Sequence, residues 1–330
     1  MSKKPLISII IPTYNRAHYL QQAIKSVLNQ TFKDIEIIIV DDGSTDHTKE
    51  IVSPYSSQYP NIIRYMYQSN SERASARNNG IKHAKGEYIA LLDSDDEWLP
   101  LHLETCFETL RKNPGSGLSF SNSYLIDLNS SIFSKKKSSL PSHHILKHII
   151  SHFSAGGCNA SSCLIKREIF NKTGYFDEDR NLSGSEDWEL WARIANVTSF
   201  QPTHHYTAKI RVHKNQSSFN AKSMEQSMLL AFQKVFKNLD LLPKIQHLKQ
   251  QALSHVFTII AITYYATGDM KTCRAFLKNA LITWPSIMVS PRFGYTFLRS
   301  CLGSSISKYI RSAKEKLGIK NYNEKSTLTL

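Results

Sequence analysis

No stretch of this 330-residue chain approaches the roughly 20 apolar residues that a membrane-spanning helix needs. The longest candidate, Val256 to Ala261, is far too short. The start, Met1-Ser2-Lys3-Lys4-Pro5, carries charge but leads into no apolar h-region: Leu6 to Ile11 is too short for one and reads as a strand. A cytosolic start without a secretion signal is expected. Cysteine is scarce. The five residues, Cys106, Cys158, Cys163, Cys273 and Cys301, are odd in number, scattered, and form no CxxC pair. That excludes a zinc-type cysteine site and points to reduced thiols in a reducing compartment.

Acidic residues are the other shortage, and it is local. Residues 221–330 hold sixteen Lys+Arg against five Asp+Glu, a balance of +11. Since the whole chain carries +14, residues 1–220 carry only +3. A basic tail on a near-neutral domain suits an anionic surface nearby, lipid headgroups or an acidic acceptor, and suits equally a solvated helical surface. Nucleic acid is not expected as a partner. The expected place is the cytoplasm, with peripheral contact at the inner face of the cell membrane compatible with the tail.

What is present begins with alternation. Leu6–Ile11, Ile35–Val40, Ile62–Tyr67 and Tyr88–Leu92 read as strands. Helical patterns lie between them over His18–Gln30, from Ser44 to about Tyr55, and over Arg73–Ala84. Such alternation implies an α/β sheet with parallel pairing and helices on both faces. Further on, helices are expected from Pro100 to about Asn113, near His144–His152, over Arg167–Thr173 and over Glu186–Asn196. Strands are expected over Gly117–Leu128 and Cys163–Lys166, and a mobile polar loop over Ser130–Ser142. From about Phe219 the pattern is helical only. Tyr264 to Pro285 resembles half of a tetratricopeptide hairpin; one such unit supports a helical annex, not a solenoid. Ile306 to Leu317 reads as a basic amphipathic helix, compatible with a membrane surface and with packing on the domain.

Sheets of this kind bind ligands at the carboxyl ends of their strands. Three strands end in polar clusters there: Pro12-Thr13-Tyr14-Asn15-Arg16, Asp41-Asp42-Gly43-Ser44 and Asp93-Ser94-Asp95-Asp96. Three carboxylates within four residues repel one another, and a divalent cation compensates them. Hard oxygen ligands suit Mg²⁺ or Mn²⁺, ions that favour phosphate partners. A solvated acidic turn is the plainer alternative. Asp42 is spare if Ser44 or Asp46 caps the following helix, and a spare carboxylate can accept from a base N–H or a ribose hydroxyl. Tyr14 offers a stacking face. Arg73 and Arg77 could meet phosphate charge or be ordinary surface arginines. His213 is a metal or phosphate contact, a loop histidine or a core histidine. Trp188 and Trp191 read as core, with an acceptor-sugar platform as the alternative.

In order and spacing, Ile11–Arg16, Val40–Asp46, Ala76–Gly80 and Gly86–Tyr88 with Leu91–Asp96 resemble family 2 glycosyltransferases of the GT-A fold. Gly174–Glu178 with Ser185–Arg193, and Ile210–His213 with Ser217-Ser218, extend the resemblance to about residues 5–218. It implies a mixed, mainly parallel sheet flanked by helices in residues 1–218, and leaves 219–330 as an all-helical, basic extension. It implies an inverting transfer from a nucleotide-sugar, with UDP the usual carrier, to a glycan or lipid-linked acceptor, in bacterial surface polysaccharide or glycolipid synthesis. By position, Pro12, Thr13, Tyr14 and Asp42 would meet the base, Asp93 the ribose and metal, Asp95 the metal, and Asp187 would be the general base. The resemblance also favours His213 as a metal or phosphate contact. Glu186 is the rival base, and Asp96 has no assigned role. Two other classes remain as alternatives: a metal-dependent nucleotidyltransferase, disfavoured because no glycine-rich loop follows the first strand, and a binding protein without catalysis.

Overall fold

The structure, a computed structural model, describes residues 4–141, 143–213 and 220–301. The first half alternates as expected: β1 (Ile7–Thr13), α1 (Ala17–Leu28), β2 (Ile35–Asp41), α2 (Thr48–Gln58), β3 (Ile63–Tyr67), α3 (Glu72–His83) and β4 (Tyr88–Leu91). Every residue of β1 and β2 is buried, which is why both read as unbroken isoleucine-rich runs: helices cover both faces of a central parallel strand. β3, β2, β1 and β4 pair in that order, all parallel. Pairing of β1 with β4 ends at Ile10–Leu91, so Pro12, which has no N–H to give, stands beyond it.

The rest of the sheet is mixed. A two-residue strand β5 (Glu97–Trp98) precedes α4 (His102–Lys112), β6 (Ser116–Ile126), β7 (Ile132–Lys136), α5 (Ile145–His152), β8 (Cys163–Lys166), α6 (Glu168–Thr173), α7 (Glu186–Val197) and β9 (Ser199–Arg211). β8 joins β4 and β6 antiparallel, and β9 runs parallel to β6 and antiparallel to β5. β7 corrects the loop expected over Ser130–Ser142: Ile132–Lys136 pairs with β6 as an edge strand. Its exposed, lysine-containing sequence is what an edge tolerates and what a loop also shows.

Two close approaches account for glycines in the motifs. Gly80 lets α3 lie on β1, since a Cβ there would fall 2.3 Å from Ile10 Cγ2. Gly43 has φ +84° and lies so close to Asn70 that a Cβ would meet its backbone nitrogen at 2.8 Å.

The chain divides into two compact units. One takes the residues up to Ile145, Ala155–Arg180 and Leu190–His213; the other takes Leu146–Ser154, Asn181–Glu189 and the described residues after His213. The second unit is helical: α8 (Ala221–Val235), α9 (Leu242–Ile245), α10 (Lys249–Thr267), α11 (Met270–Thr283) and α12 (Pro291–Cys301). α10 and α11 form the single expected hairpin, and Asp269 accepts the Thr272 N–H to start its second helix. No helix among the described residues is long and apolar enough to cross a membrane. The amphipathic helix expected over Ile306–Leu317 lies outside the described residues.

Candidate active site

The ends of β1 and β2 are tied together by short polar side chains. Asn15 donates its N–H to Ser44 Oγ at 2.9 Å and accepts the Thr45 N–H at 2.8 Å. Asp46 accepts from Ala17 N at 3.1 Å and Thr48 N at 3.0 Å. Burial acts to raise its carboxyl, but the bonds from Thr48 and Ala17 prevail and hold it below the usual range. Asp41 is likewise structural, accepting from Ser44 N at 2.8 Å and Tyr65 Oη at 2.6 Å. The turn into α2 is thus tied down without Asp42. One oxygen of Asp42 accepts from Gln68 Nε2 at 2.7 Å and Ser71 N at 2.8 Å. Its other oxygen has no hydrogen bond among the described residues. Beside it on β1, the buried Thr13 hydroxyl also lacks a partner among the described residues. Tyr14, the next residue, is exposed.

Within the segment Ala76–Gly80, Arg77, Asn78 and Asn79 each hold a neighbouring element. Arg77 is fully buried, donates to Asp93 Oδ1 at 2.7 Å, and lies 5.1 Å from the Phe176 ring centre. The surface reading of Arg77 is therefore wrong. Asn78 accepts the Phe176 N–H at 2.9 Å and donates to Phe176 O at 2.8 Å, which fixes Gly174–Glu178 against α3. Asn79 donates to Gln68 at 2.7 Å and so orients the donor to Asp42.

Asp93, Asp95 and Asp96 bring carboxylate oxygens within 4.8 Å of one another. Burial works against the Asp93 charge, but Arg77 and then Arg73 hold its carboxyl below the usual range. Asp96 goes the other way: burial, then the charges of Asp95 and Asp93, push it well above that range. Hard oxygen donors at this spacing fit a divalent cation. Asp95 Oδ2 lies 2.9 Å from His213 Nε2, and the His213 ring stacks on Tyr19 with centroids 5.8 Å apart. His213 is thus neither loose nor a core residue; it is held against the acidic run.

Sequence reasoning missed what holds that run in place. Arg211, at the end of β9 and fully buried, donates to Asp95 O at 2.8 Å and to Glu97 Oε1 at 2.6 Å. Its backbone N–H donates to Asp96 Oδ1 at 2.9 Å. Ser161 accepts the Asp93 N–H at 3.0 Å, and its carbonyl takes the Trp98 indole N–H at 2.6 Å. Arg211 lies inside the segment Ile210–His213 that carries part of the resemblance, which assigns it no role; Ser161 is one serine in a small-residue stretch.

Asp187 lies in the second unit, half-exposed in the first turn of α7. Glu186, its neighbour, is buried and accepts the Gly184 N–H at 2.7 Å, so its carboxylate is engaged in the turn that opens the helix. Trp188 donates its indole N–H to Ile149 O at 3.1 Å and packs on Phe153. Trp191 is buried edge-on against Phe200. Both tryptophans are core residues.

Comparison with known proteins gives the family and the fold. The family described as "Glycosyl transferase family 2" matches residues 8–174. An uncharacterised glycosyltransferase of Rickettsia typhi is 37% identical over 227 residues, 66% of this chain and 67% of that protein. Among solved structures, residues 1–349 of S. aureus TarS in complex with UDP-GlcNAc align with a TM-score of 0.57 at 17% identity, covering 82% of this chain and 90% of that one. A mannosyltransferase from Pyrobaculum calidifontis in complex with GDP-Man and Mn²⁺ aligns with a TM-score of 0.60 at 17% identity, covering 91% and 85%. At such identities the likeness establishes the GT-A-like fold alone.

Proposed function

Because the chain belongs to glycosyltransferase family 2, we propose that it transfers a sugar, with inversion, from a UDP-sugar to an acceptor hydroxyl. The observation that carries this reading is the acidic triad, fixed by Arg77 and Arg211 at the carboxyl edge of β1, β2 and β4. Family membership leaves no place for a nucleotidyltransferase. Residues 1–218 form the catalytic domain in this reading, and 219–330 its helical, basic extension.

Pro12, Thr13 and Tyr14 bind the base, with the open oxygen of Asp42 accepting from its imide N–H and the Thr13 hydroxyl gaining a partner. Asp93, oriented by Arg77, serves the ribose side, and Arg73 and Arg77 answer the diphosphate charge. Asp95 and Asp93, with His213 beside them, would hold Mn²⁺ or Mg²⁺, which when bound neutralises charge on the departing diphosphate. The acceptor oxygen bonds to the anomeric carbon as the bond from that carbon to the diphosphate oxygen breaks. Asp187 takes the proton from the acceptor hydroxyl. Glu186, buried and bonded to the Gly184 N–H, is the rival base. A glycan or lipid-linked acceptor in bacterial surface polysaccharide or glycolipid synthesis fits the family.

A melting screen of UDP-, GDP- and dTDP-sugars with Mn²⁺ tests the donor, and a shift with UDP-sugars alone is expected. Asp95→Ala should abolish Mn²⁺-dependent donor hydrolysis. Asp187→Asn should cut transfer about 100-fold or more while donor binding persists. Full transfer by Asp187→Asn would refute the base assignment.

A further inference from the structure

The second unit ends in a surface that the transfer reaction does not use. α12 is two-faced. Phe293, Thr296, Arg299 and Ser300 are buried, and Phe293 joins Ala261, Cys273, Leu277, Ala280 and Ile287 in a small apolar core. Tyr295 and Leu298, three apart, face outward, with Phe297 also exposed. The preceding turn, Pro285–Val289, adds Met288 at 66% and Val289 at 85% exposure, and the end of α11 adds Ile282 at 68%. Six of the thirteen exposed large apolar side chains among the described residues thus fall between Ile282 and Leu298. Single exposed apolar residues are ordinary; this concentration is not.

Charge decides what such a surface fits. From Met270 to Cys301 there is no Asp or Glu, while Lys271, Arg274, Lys278 and Arg292 are all exposed. Exposed apolar groups bordered by cations alone are the pattern of a helix lying in a lipid interface. A second copy seated on the same face would set cations against cations. Residues 302–330 would do the same, with six Lys+Arg against two Glu. We propose that the outer face of α11, the Pro285–Val289 turn and α12 docks on an anionic phospholipid bilayer. Ile282, Met288, Val289 and Leu298 enter the interface, and Arg274, Lys278 and Arg292 meet lipid phosphates.

The test is co-sedimentation of the full chain with vesicles of phosphatidylcholine, with and without phosphatidylglycerol. Binding should need phosphatidylglycerol and weaken as salt is raised. The double variant Val289→Asp/Leu298→Asp should bind on the order of ten-fold more weakly. Arg274→Glu/Lys278→Glu should weaken binding similarly. Both should keep the parent melting temperature and donor hydrolysis, because the altered side chains are exposed and outside the donor site. Three outcomes overturn the proposal: no binding to either vesicle, undiminished binding by both variants, or a dimer in solution that Val289→Asp/Leu298→Asp dissociates.

Discussion

Arg211 gives its guanidinium N–H groups to Asp95 O, Asp127 O, Leu128 O, Gln22 Oε1, Glu97 Oε1 and Ser130 Oγ. Lysine cannot reproduce that fork, so Arg211→Lys is not conservative here. Arg211→Ala should cost about 3–5 kcal/mol in urea unfolding, because it leaves several carbonyls without their donor and Glu97 with Lys209 as its remaining cation. Donor hydrolysis should also fall in the fraction that stays folded, since the Asp95 carbonyl loses its anchor. Unchanged hydrolysis in Arg211→Ala would show that the acidic run needs no such anchor. The segment Ile210–His213 was legible as part of the resemblance, but this role of Arg211 was not. A lone arginine acquires meaning only from partners 81 to 189 positions away, whereas Asp93, Asp95 and Asp96 betray themselves by crowding.

Among the elements, those with a period or an unbroken apolar run were legible, and those defined by their neighbours were not. β1, β2 and β4 are buried on both faces and read directly from isoleucine, valine and leucine. β9 is long, but it carries Pro202, His204 and His205 and alternates irregularly against β6, with register shifts near Phe120 and Asn122. Its pattern follows neither a strand nor a helix period. The fit of α3 on β1 gives the prediction at this scale. Alanine is the better helix former by about 1 kcal/mol over glycine. At Gly80 the new methyl would collide with Ile10 Cγ2, and overpacking of that kind costs about 1–3 kcal/mol. Gly80→Ala should therefore destabilise, and adding Ile10→Ala should recover part of the loss, a non-additivity that urea unfolding of the double mutant would reveal. A stabilised Gly80→Ala would mean the contact relaxes freely.

For the molecule as a whole, buried histidines set the response to acid. Burial pushes the His102 imidazole from its ordinary 6.5 down to about 3. Burial, followed by the neighbouring His152 and Arg292 charges, takes His148 and His255 down to about 4. The unfolded chain takes up protons near pH 6.5 that the folded chain refuses, so stability falls as pH drops from 6.5 toward these values. Fully buried His102 alone should contribute a slope of about 1.4 kcal/mol per pH unit across that window. Urea unfolding between pH 7 and pH 5 measures it, and His102→Leu should flatten the curve; an unchanged slope would count against the burial of this imidazole.

The Arg211 clamp also orders events in time. β1 pairs with β2 and β2 with β3 over fewer than thirty positions, and β4 joins β1 after 81, whereas the acidic run is held by a strand that ends 115 residues after Asp96. Closing so long a loop is slow, and its contacts come late. A chain emerging from the ribosome can complete its parallel half-sheet while the acidic run still lacks its Arg211 anchor. If that run holds the donor as proposed, a chain in which β9 has not yet docked should bind nucleotide-sugar weakly.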